Sequence, residues 1–385
     1  MDLSNSIISF IDTLGVVQGL LFGVVLIFYY SKKNKPILFL GMFILLFSLE
    51  PIPNILHDLN YLTKHPELEL LPVGFHFLAY PLLLIYVQKT SILKEKKANY
   101  WTLIPGVIEF LVALVIFLLP YQLKLQIKNS SAAIVYFIGG LSYSLYIAYL
   151  ILKWIHSHVI EVHNQYTYVQ RKTLSWTKWF TYASVLFHLV ILINIFLESH
   201  AWYAWISVLN VILIYWVSFK GVTQENIRTL VWNKNVADEQ HPIDHSTKTK
   251  LTPLLVSSDK ITSQTTQNLM SINEAQQTCI KVDDYIQVSK CYMNNKLTII
   301  DIAEAIHVHP KRISYAINKV KSQNFNSYIN SFRVELAKKL LKSNEAQHLS
   351  IEGIGLEAGF HTKATFYNAF KKNVHMTPAQ YKSSL

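Results

Sequence analysis

Two stretches in the last third of the chain decide its fold: LTIIDIAEAIHVHPKRISYAINKV at residues 297–320 and SIEGIGLEAGFHTKATFYNAFKK at residues 350–372. In the first stretch, Thr298 and Asp301 have the spacing of a capping box, which predicts the start of a helix. A second helix is predicted from about His309 to Val320. Two short helices at this spacing form a helix-turn-helix unit.

The second stretch repeats the pattern. Gly355 stands at the small position where two helices cross, Gly359 makes the turn, and a second helix is predicted from about Thr362 to Lys372. Between the two units, residues 324–343 read NFNSYINSFRVELAKKLLKS, which predicts a single long helix. Its predicted inward stripe consists of Phe325, Ile329, Phe332, Leu336 and Leu340. The sequence thus predicts two helix-turn-helix units joined by one long helix.

The last hundred residues or so resemble the DNA-binding domain of the AraC/XylS family of bacterial transcription regulators. The motifs that carry the resemblance are IAxxI in the first unit, FxxYINxxRVExAKKLL in the connecting helix, AGF before the second helix of the second unit, TFYNAFKK within that helix, and MTPAQY after it. The layout of the whole chain also resembles membrane-embedded members of this family that are common in Bacteroidetes-type bacteria. The sequence departs from the family pattern at His307 and His375, where Gly is usual, at Gly355, where Ala is usual, and at Asn368, where Arg is frequent.

The resemblance implies binding to double-stranded DNA. A helix fits the major groove, and two such helices on one monomer can enter successive major-groove segments about 34 Å apart. The residues expected to face base edges are Lys311, Arg312, Ser314, Tyr315, Lys363, Thr365 and Asn368, with Thr362 on the same face. Those expected to contact phosphate are Lys319, Lys321, Lys371 and Lys372. For any single Lys, a solvated surface charge is the alternative.

The first half of the chain has a different character. Of the 385 residues, 51% are hydrophobic and 15% are charged, whereas soluble domains are about 25% charged. The apolar residues form runs long enough to cross a bilayer as helices. The seven predicted spans are Ile7–Tyr30, Pro36–Leu56, Leu71–Gln88, Trp101–Leu119, Ala132–Leu152, Trp179–Leu197 and Tyr203–Phe219. The predicted fold is all-α, with a seven-helix transmembrane bundle followed by the DNA-binding domain.

Lys and Arg are concentrated in the loops after the first, third and fifth spans. Because basic loops stay on the cytoplasmic side, this bias places the N-terminus outside and the C-terminal domain in the cytoplasm. The expected location is the inner membrane of a bacterium, where the chain spans the bilayer several times. In the first span, Gly15, Gly19 and Gly23 favour close helix packing inside the bundle over a dimer contact.

Ionisable side chains inside spans are candidates for sensing a signal. Glu50, Glu109 and His188 are the candidates on this ground, and their functional interpretation is a ligand pocket or an ion path. The alternative is hydrogen bonding between helices. His156, His158 and His163 form a weak metal motif without partner ligands at a fixed spacing, so no metal site is predicted.

Three domains are expected: a transmembrane sensor domain at residues 1–220, a flexible cytoplasmic linker at 221–271 and the DNA-binding domain at 272–385. A helix that begins near Ile272 either caps the DNA-binding domain or pairs with a second copy. The two cysteines, Cys279 and Cys291, are expected to be ordinary buried or half-buried thiols.

The favoured function is a one-component transcription regulator, in which an unknown signal acts on the spans and the cytoplasmic heads, alone or as a homodimer, bind a promoter. The alternative is a transporter or membrane enzyme with an accessory DNA-binding head. No phosphate-binding GxxxxGK[ST], HExxH or GxSxG motif is present, so no catalytic residue and no cofactor are predicted.

Overall fold

The computed structural model describes residues 3–93, 97–169, 172–197, 200–223, 271–343 and 348–385. Over these residues the chain is helical, with one isolated β-bridge and no longer strand. It divides into two compact units: Met1–Val159 with Arg171–Leu230, and Ile160–Gln170 with Val231–Leu385. The predicted all-α fold is therefore confirmed. The predicted linker lies almost wholly outside the described residues.

The first unit contains the apolar helices. They are α1 (Leu3–Val25, continued by a π-helical turn Leu26–Tyr30 and a turn Ser31–Lys33), α2 (Ile37–Leu49), α3 (Ile52–Asp58), α4 (Tyr61–Lys64), α5 (Ala79–Thr90), α6 (Ile104–Phe117), α7 (Tyr121–Lys128), α8 (Ser131–Gln165, which continues into the second unit), α9 (Ser175–Leu197) and α10 (His200–Thr223). Two short 3-10 turns, Pro66–Leu68 and Tyr100–Leu103, lie between them.

Four stretches of the described helices are long and apolar enough to cross a membrane: Ile7–Lys33, Ile37–Asp58, Tyr100–Phe117 and Ser131–Gln165. Trp205–Gly221 is a shorter apolar helix. Large apolar side chains such as Trp101 and Leu118 lie exposed on this unit, at 79% and 76% of their area. An apolar exterior of this kind is typical of helices that contact lipid. The count of seven spans stays a prediction.

The glycines of α1 pack inside the bundle, as predicted. A Cβ atom at Gly15 would lie 2.8 Å from Val211, and one at Gly19 would collide with Ser48. Small residues at these positions therefore let α1 approach α2 and α10 closely.

The third predicted span differs from the structure, because its helix begins at Ala79 and not at Leu71. The residues before it, which include Pro72 and Gly74, follow a non-helical path. Two backbone N–H groups of this path, at His76 and Phe77, donate to the carboxylate of Glu109 at 3.1 and 3.0 Å. Irregular backbone is tolerated inside a membrane protein where its polar groups find protein partners.

The second unit contains the predicted DNA-binding domain. Its helices are α11 (Ile272–Ser289), α12 (Ile299–Ile306), α13 (Pro310–Lys321), α14 (Phe325–Lys342), α15 (Ile351–Glu357), α16 (Lys363–Val374) and α17 (Pro378–Ser383), with a 3-10 turn Cys291–Met293 after α11. α11 packs on the domain through Ala275, Cys279, Val282 and Ile286, all buried, as the interpretation of this helix as a cap predicts. Cys279 is buried and Cys291 half-buried, as predicted.

Two hydrophobic cores lie at the two ends of α14. One surrounds Phe325 and Ile329, and the other surrounds Val334, Ala337 and Leu341. The predicted stripe is right at its first two positions and wrong further along, where Phe332, Leu336 and Leu340 are partly buried at the edges of the cores. The helix serves two cores that lie on different sides of it, so no single stripe describes its buried face.

The end of α8 and the residues that follow it belong to the second unit. Tyr166 forms an isolated antiparallel bridge with Thr298. Tyr168 packs against His361, with ring centroids 4.1 Å apart. This short segment, residues 166–168, is called the docking segment below.

Candidate functional site

The first candidate recognition helix is α13. Pro310 occupies its first turn, and the Nδ1 atom of His309 accepts a hydrogen bond from the backbone N–H of Lys311 at 3.2 Å, so both residues favour a helix start here. The preceding helix α12 begins with the predicted capping box of Thr298 and Asp301. The sequence therefore places a short rigid helix with two cations in its first turn.

Lys311 and Arg312 are exposed on α13, and Ser314 is half-buried. Tyr315, predicted to face outward, is half-buried and packs against Ala275 and Cys279 of α11. Sequence spacing within α13 cannot show this, because the covering helix lies about forty residues earlier in the chain.

The second candidate recognition helix is α16. The hydroxyl of Thr362 caps its N-terminus by accepting from the backbone N–H of Thr365 at 3.2 Å, and the two threonine hydroxyls are 2.9 Å apart. Lys363, Asn368, Lys371 and Lys372 are exposed, while Phe366 and Phe370 are buried beneath them. Thr362 and Thr365, predicted on the same face, are half-buried at the start of the helix.

Each of the two helix-turn-helix units turns between its helices at a residue with positive φ. Gly359 has φ 91° in the second unit, and a Cβ atom there would lie 2.6 Å from the carbonyl oxygen of Tyr292. In the first helix-turn-helix unit, His307 has φ 53° and ends α12. Glycine adopts this conformation at little cost, so the histidine is a strained substitute. His375, at the end of α16, is in the same state with φ 61°.

Gly355 lies where α15 and α16 of the second helix-turn-helix unit cross, as predicted. A Cβ atom there would lie 2.6 Å from Cδ1 of Phe366. The aromatic ring of α16 therefore fills the space that a larger residue on α15 would need.

Acidic side chains accompany several of the candidate cations. Lys363 forms an ion pair with Glu352, and hydrogen bonding to that carboxylate raises the pKa of Lys363. Lys321 lies 3.0 Å from Asp283. Arg312 lies 3.9 Å from Glu274, and both side chains are more than half exposed, so solvent screens this pair strongly. Sequence reasoning missed these acidic partners, because Glu274 and Asp283 lie on α11, far from α13 in sequence.

Arg333 lies between the two cores of the second unit and contacts residues beside both. It is 2% exposed, and its guanidinium donates to the carbonyl oxygens of Tyr292 at 2.7 Å and Asn294 at 2.9 Å. It also lies over the ring of Phe360, 5.8 Å from the centroid. Burial lowers the pKa of Arg333 to about 10. The arginine of the RVE motif is thus a structural residue of α14 and not a DNA contact.

A cavity of about 80 Å³ lies inside the first unit. Its polar lining comprises Glu50, His76, Tyr80, Ser144 and His188. Two of the three predicted sensing residues, Glu50 and His188, therefore meet around one space although they are far apart in sequence. The helices that bring them together are α2, α5, α8 and α9, with the non-helical path before α5.

Glu109, the third predicted sensing residue, is not among the residues that line this cavity. Its carboxylate accepts hydrogen bonds from the backbone of His76 and Phe77 and from the hydroxyl of Tyr136, the last at 2.7 Å. The bond set favours the alternative interpretation, in which Glu109 holds elements of the unit together. It does so beside the cavity, because His76 is part of the cavity wall.

Comparison with known proteins places the similarity at the C-terminal end. Residues 302–384 match the family model described as a helix-turn-helix domain. The chain is 31% identical over 86 residues to the HTH-type transcriptional regulator YijO of Escherichia coli (strain K12), which covers 22% of this chain and 29% of YijO. No solved structure matches the chain significantly.

The chain is also 33% identical over 86 residues to the melibiose operon regulatory protein of the same strain, which covers 22% of this chain and 28% of that protein. It is 25% identical over 100 residues to the HTH-type transcriptional regulator YtdP of Bacillus subtilis (strain 168), with 26% and 13% covered. The matches thus span less than a third of these relatives. They support the resemblance to the AraC family within the C-terminal domain.

Proposed function

We propose that this protein is a membrane-embedded transcription regulator whose C-terminal domain binds double-stranded DNA at specific sites. The observation that carries the proposal is the doubled arrangement of the second unit. Two helix-turn-helix units with separate cores share the helix α14, and each exposes a short cationic helix. The regulators YijO and YtdP, which match this part of the chain, are named as transcriptional regulators.

The two exposed helices would enter successive major-groove segments. On α13, Lys311 and Arg312 are the base-facing candidates, with Ser314 beside them. Tyr315 supports α13 from the side of α11. Arg312 has the fork of donors that suits the O6 and N7 atoms of guanine.

On α16, Lys363 and Asn368 face bases, and Thr362 and Thr365 fix the start of the helix. Lys371 and Lys372 contact phosphate, as Lys319 and Lys321 do at the end of α13. Lys363 and Lys321 exchange their present acidic partners for DNA, so binding releases Glu352 and Asp283 to water. Because each Lys that neutralises a phosphate releases counterions from the DNA, the affinity falls as the salt concentration rises.

The apolar first unit would lie in the inner membrane of a bacterium, with the N-terminus outside and the DNA-binding domain in the cytoplasm. The four membrane-length stretches and the exposed apolar side chains of Trp101 and Leu118 support membrane insertion. In this topology the cavity lies toward the outer face, because Glu50 follows α2 in the outer part of the second span and His76 precedes α5. An extracytoplasmic signal that reaches Glu50 and His188 would change the state of the cytoplasmic domain, alone or as a homodimer.

The test uses residues 271–385, a fragment whose hydrophobic cores are formed by its own residues. The fragment is used to select bound pieces of the organism's genomic DNA, and binding to the recovered site is measured in rising salt. We expect one recurring site, and we expect Arg312→Ala and Lys363→Ala to weaken binding to it by about tenfold each. Lys339→Ala, on the exposed side of α14, is the matched control. Binding without a preferred site would overturn the proposal.

A further inference from the structure

The cavity in the first unit has a chemistry that selects among signals. Glu50 supplies a carboxylate, and the imidazole of His76 faces it with Nδ1 3.7 Å from Oε1. This distance is too long for a good hydrogen bond, so the carboxylate keeps acceptor capacity for another donor.

His188 and Ser144 add further acceptors. Nδ1 of His188 lies 2.7 Å from the carbonyl oxygen of Ser184, and a carbonyl can only accept, so Nδ1 carries the proton. In the neutral ring the other nitrogen, Nε2, is then an acceptor. The hydroxyl of Ser144 donates to the carbonyl oxygen of His76 at 3.0 Å, which leaves its oxygen lone pairs for a donor. Charge and hydrogen bonding thus both favour a cationic donor.

The apolar walls favour the same kind of molecule. Four phenylalanines line the cavity: Phe47, Phe75, Phe137 and Phe187. Aromatic faces attract organic cations, and the attraction grows when water is excluded. On this measure one water molecule needs about 10–15 Å³, so a volume of about 80 Å³ has room for an occupant with several non-hydrogen atoms.

We infer that this cavity binds a compact organic ammonium ion, held by the carboxylate of Glu50 and the acceptors of His188 and Ser144. Gly140 lets α8 lie close to His76 at the cavity wall, because a Cβ atom at Gly140 would lie 2.8 Å from Cβ of His76. The role of this ion as the signal rests on the proposed function, whereas its binding does not.

The experiment uses the full chain in lipid nanodiscs at about pH 8, where imidazole side chains are in general neutral. Two probes of equal size are compared, ethanolamine, which is cationic, and ethylene glycol, which is neutral, each up to about 10 mM because so small a ligand binds weakly. Binding is read as a shift of the thermal unfolding midpoint and by calorimetry. We expect ethanolamine to raise the midpoint and ethylene glycol to leave it unchanged.

Two variants locate the site. Glu50→Gln removes the charge and keeps the shape, and we expect it to weaken ethanolamine binding about tenfold or more, as does loss of a charged hydrogen-bond partner in general. Glu67→Gln, in the exposed turn after α4, is the matched control and should bind as the unaltered protein does. His188→Phe is the second test should Glu50→Gln not fold, with the same expected loss.

An equal response to both probes, no response to ethanolamine, or full binding in both cavity variants would overturn the inference. The sensing role is tested separately by retention of the selected DNA on the same nanodiscs. If ethanolamine binds but DNA retention does not change, the binding inference stands and the sensing part of the proposed function fails.

Discussion

The backbone N–H of Thr167 donates to the carbonyl oxygen of Leu297, and the Thr167 hydroxyl donates to the same oxygen at 2.7 Å. The side-chain amide of Asn326 completes the arrangement by donating to the carbonyl oxygens of Tyr166 at 3.2 Å and Thr167 at 2.6 Å. The docking segment is therefore bound at the starts of both α12 and α14. Residues that follow α8 thus become part of the second compact unit.

Asn326→Leu should loosen the docking segment, because at nearly constant side-chain volume it removes both hydrogen bonds to the segment. It also removes the bond that Oδ1 of Asn326 accepts from the side-chain amide of Asn330 within α14. A net loss of about 1 kcal/mol corresponds to about a fivefold faster exchange of the Thr167 amide hydrogen. Hydrogen exchange read by mass spectrometry on the full chain measures this. Asn373→Leu is the control, since that side chain donates to Ala369 within its own helix. Equal exchange in both variants would show that Asn326 does not hold the segment.

Gly355→Ala should destabilise the second unit by about 1–3 kcal/mol, because the added Cβ meets the ring of Phe366. Chemical denaturation of residues 271–385 gives the free energy of unfolding. Gly353→Ala is the control in the same helix. Its Cβ would meet nothing closer than 3.4 Å, so it should leave stability unchanged or raise it by up to about 1 kcal/mol.

The cause of this loss can be isolated by a second substitution. Phe366→Leu makes room at the crossing point, so the cost of Gly355→Ala should shrink in that background, which a double-mutant cycle detects. Additive costs would contradict the role assigned to the contact.

His307→Gly should stabilise the first helix-turn-helix unit by about 0.5–1 kcal/mol, because it removes a side chain from a left-handed backbone position. Thermal denaturation followed by circular dichroism measures the change. Glu304→Gly, in the interior of α12, should lower stability by about 1 kcal/mol and serves as the opposite case. A loss of stability in His307→Gly would mean that the imidazole makes a compensating contribution.

Alkaline pH should destabilise the second unit. Burial, and then the hydrogen bond to Asp283, raise the pKa of Tyr328 above its ordinary value of 10.0. The folded state therefore keeps a proton that the unfolded state loses, so the stabilisation is complete below pH 10 and is lost as the pH rises above it. The slope attributable to this group approaches about 1.4 kcal/mol per pH unit.

This slope is measured by denaturation at several pH values in a Cys279→Ala background, because burial also raises the pKa of that thiol. Tyr328→Phe should flatten the dependence above pH 10. An unchanged slope in this variant would assign the alkaline sensitivity to another group.

The sequence predicts the second unit well because its signals are local. The capping box of Thr298, the Pro310 helix start and the small residue Gly355 each act within a few residues, and the helices appear where these signals place them. The buried face of α14 is predicted less well. Its side chains pack into two cores that also contain residues from distant segments, so a single periodic stripe along the helix does not predict which of them are buried.

The sites depend more strongly on long-range contacts. Glu50 and His188 could be chosen as ionisable residues in spans, but their meeting around one cavity needs the packing of several helices. The sequence predicts the start of α5 wrongly, because the backbone N–H groups before it are hydrogen-bonded to Glu109, about thirty residues later in the chain. The covering of Tyr315 by α11 and the docking of Thr167 are likewise contacts between residues remote in sequence.

The most direct test of the central claim is methylation interference on the DNA site selected by residues 271–385, read at the N7 atoms of guanine in the major groove. Two clusters of interference about one helical turn apart are predicted for a single bound monomer. Arg312→Ala should remove one cluster and Lys363→Ala the other. A single cluster, or two clusters that respond identically to both variants, would contradict the account in which each helix-turn-helix unit reads its own groove.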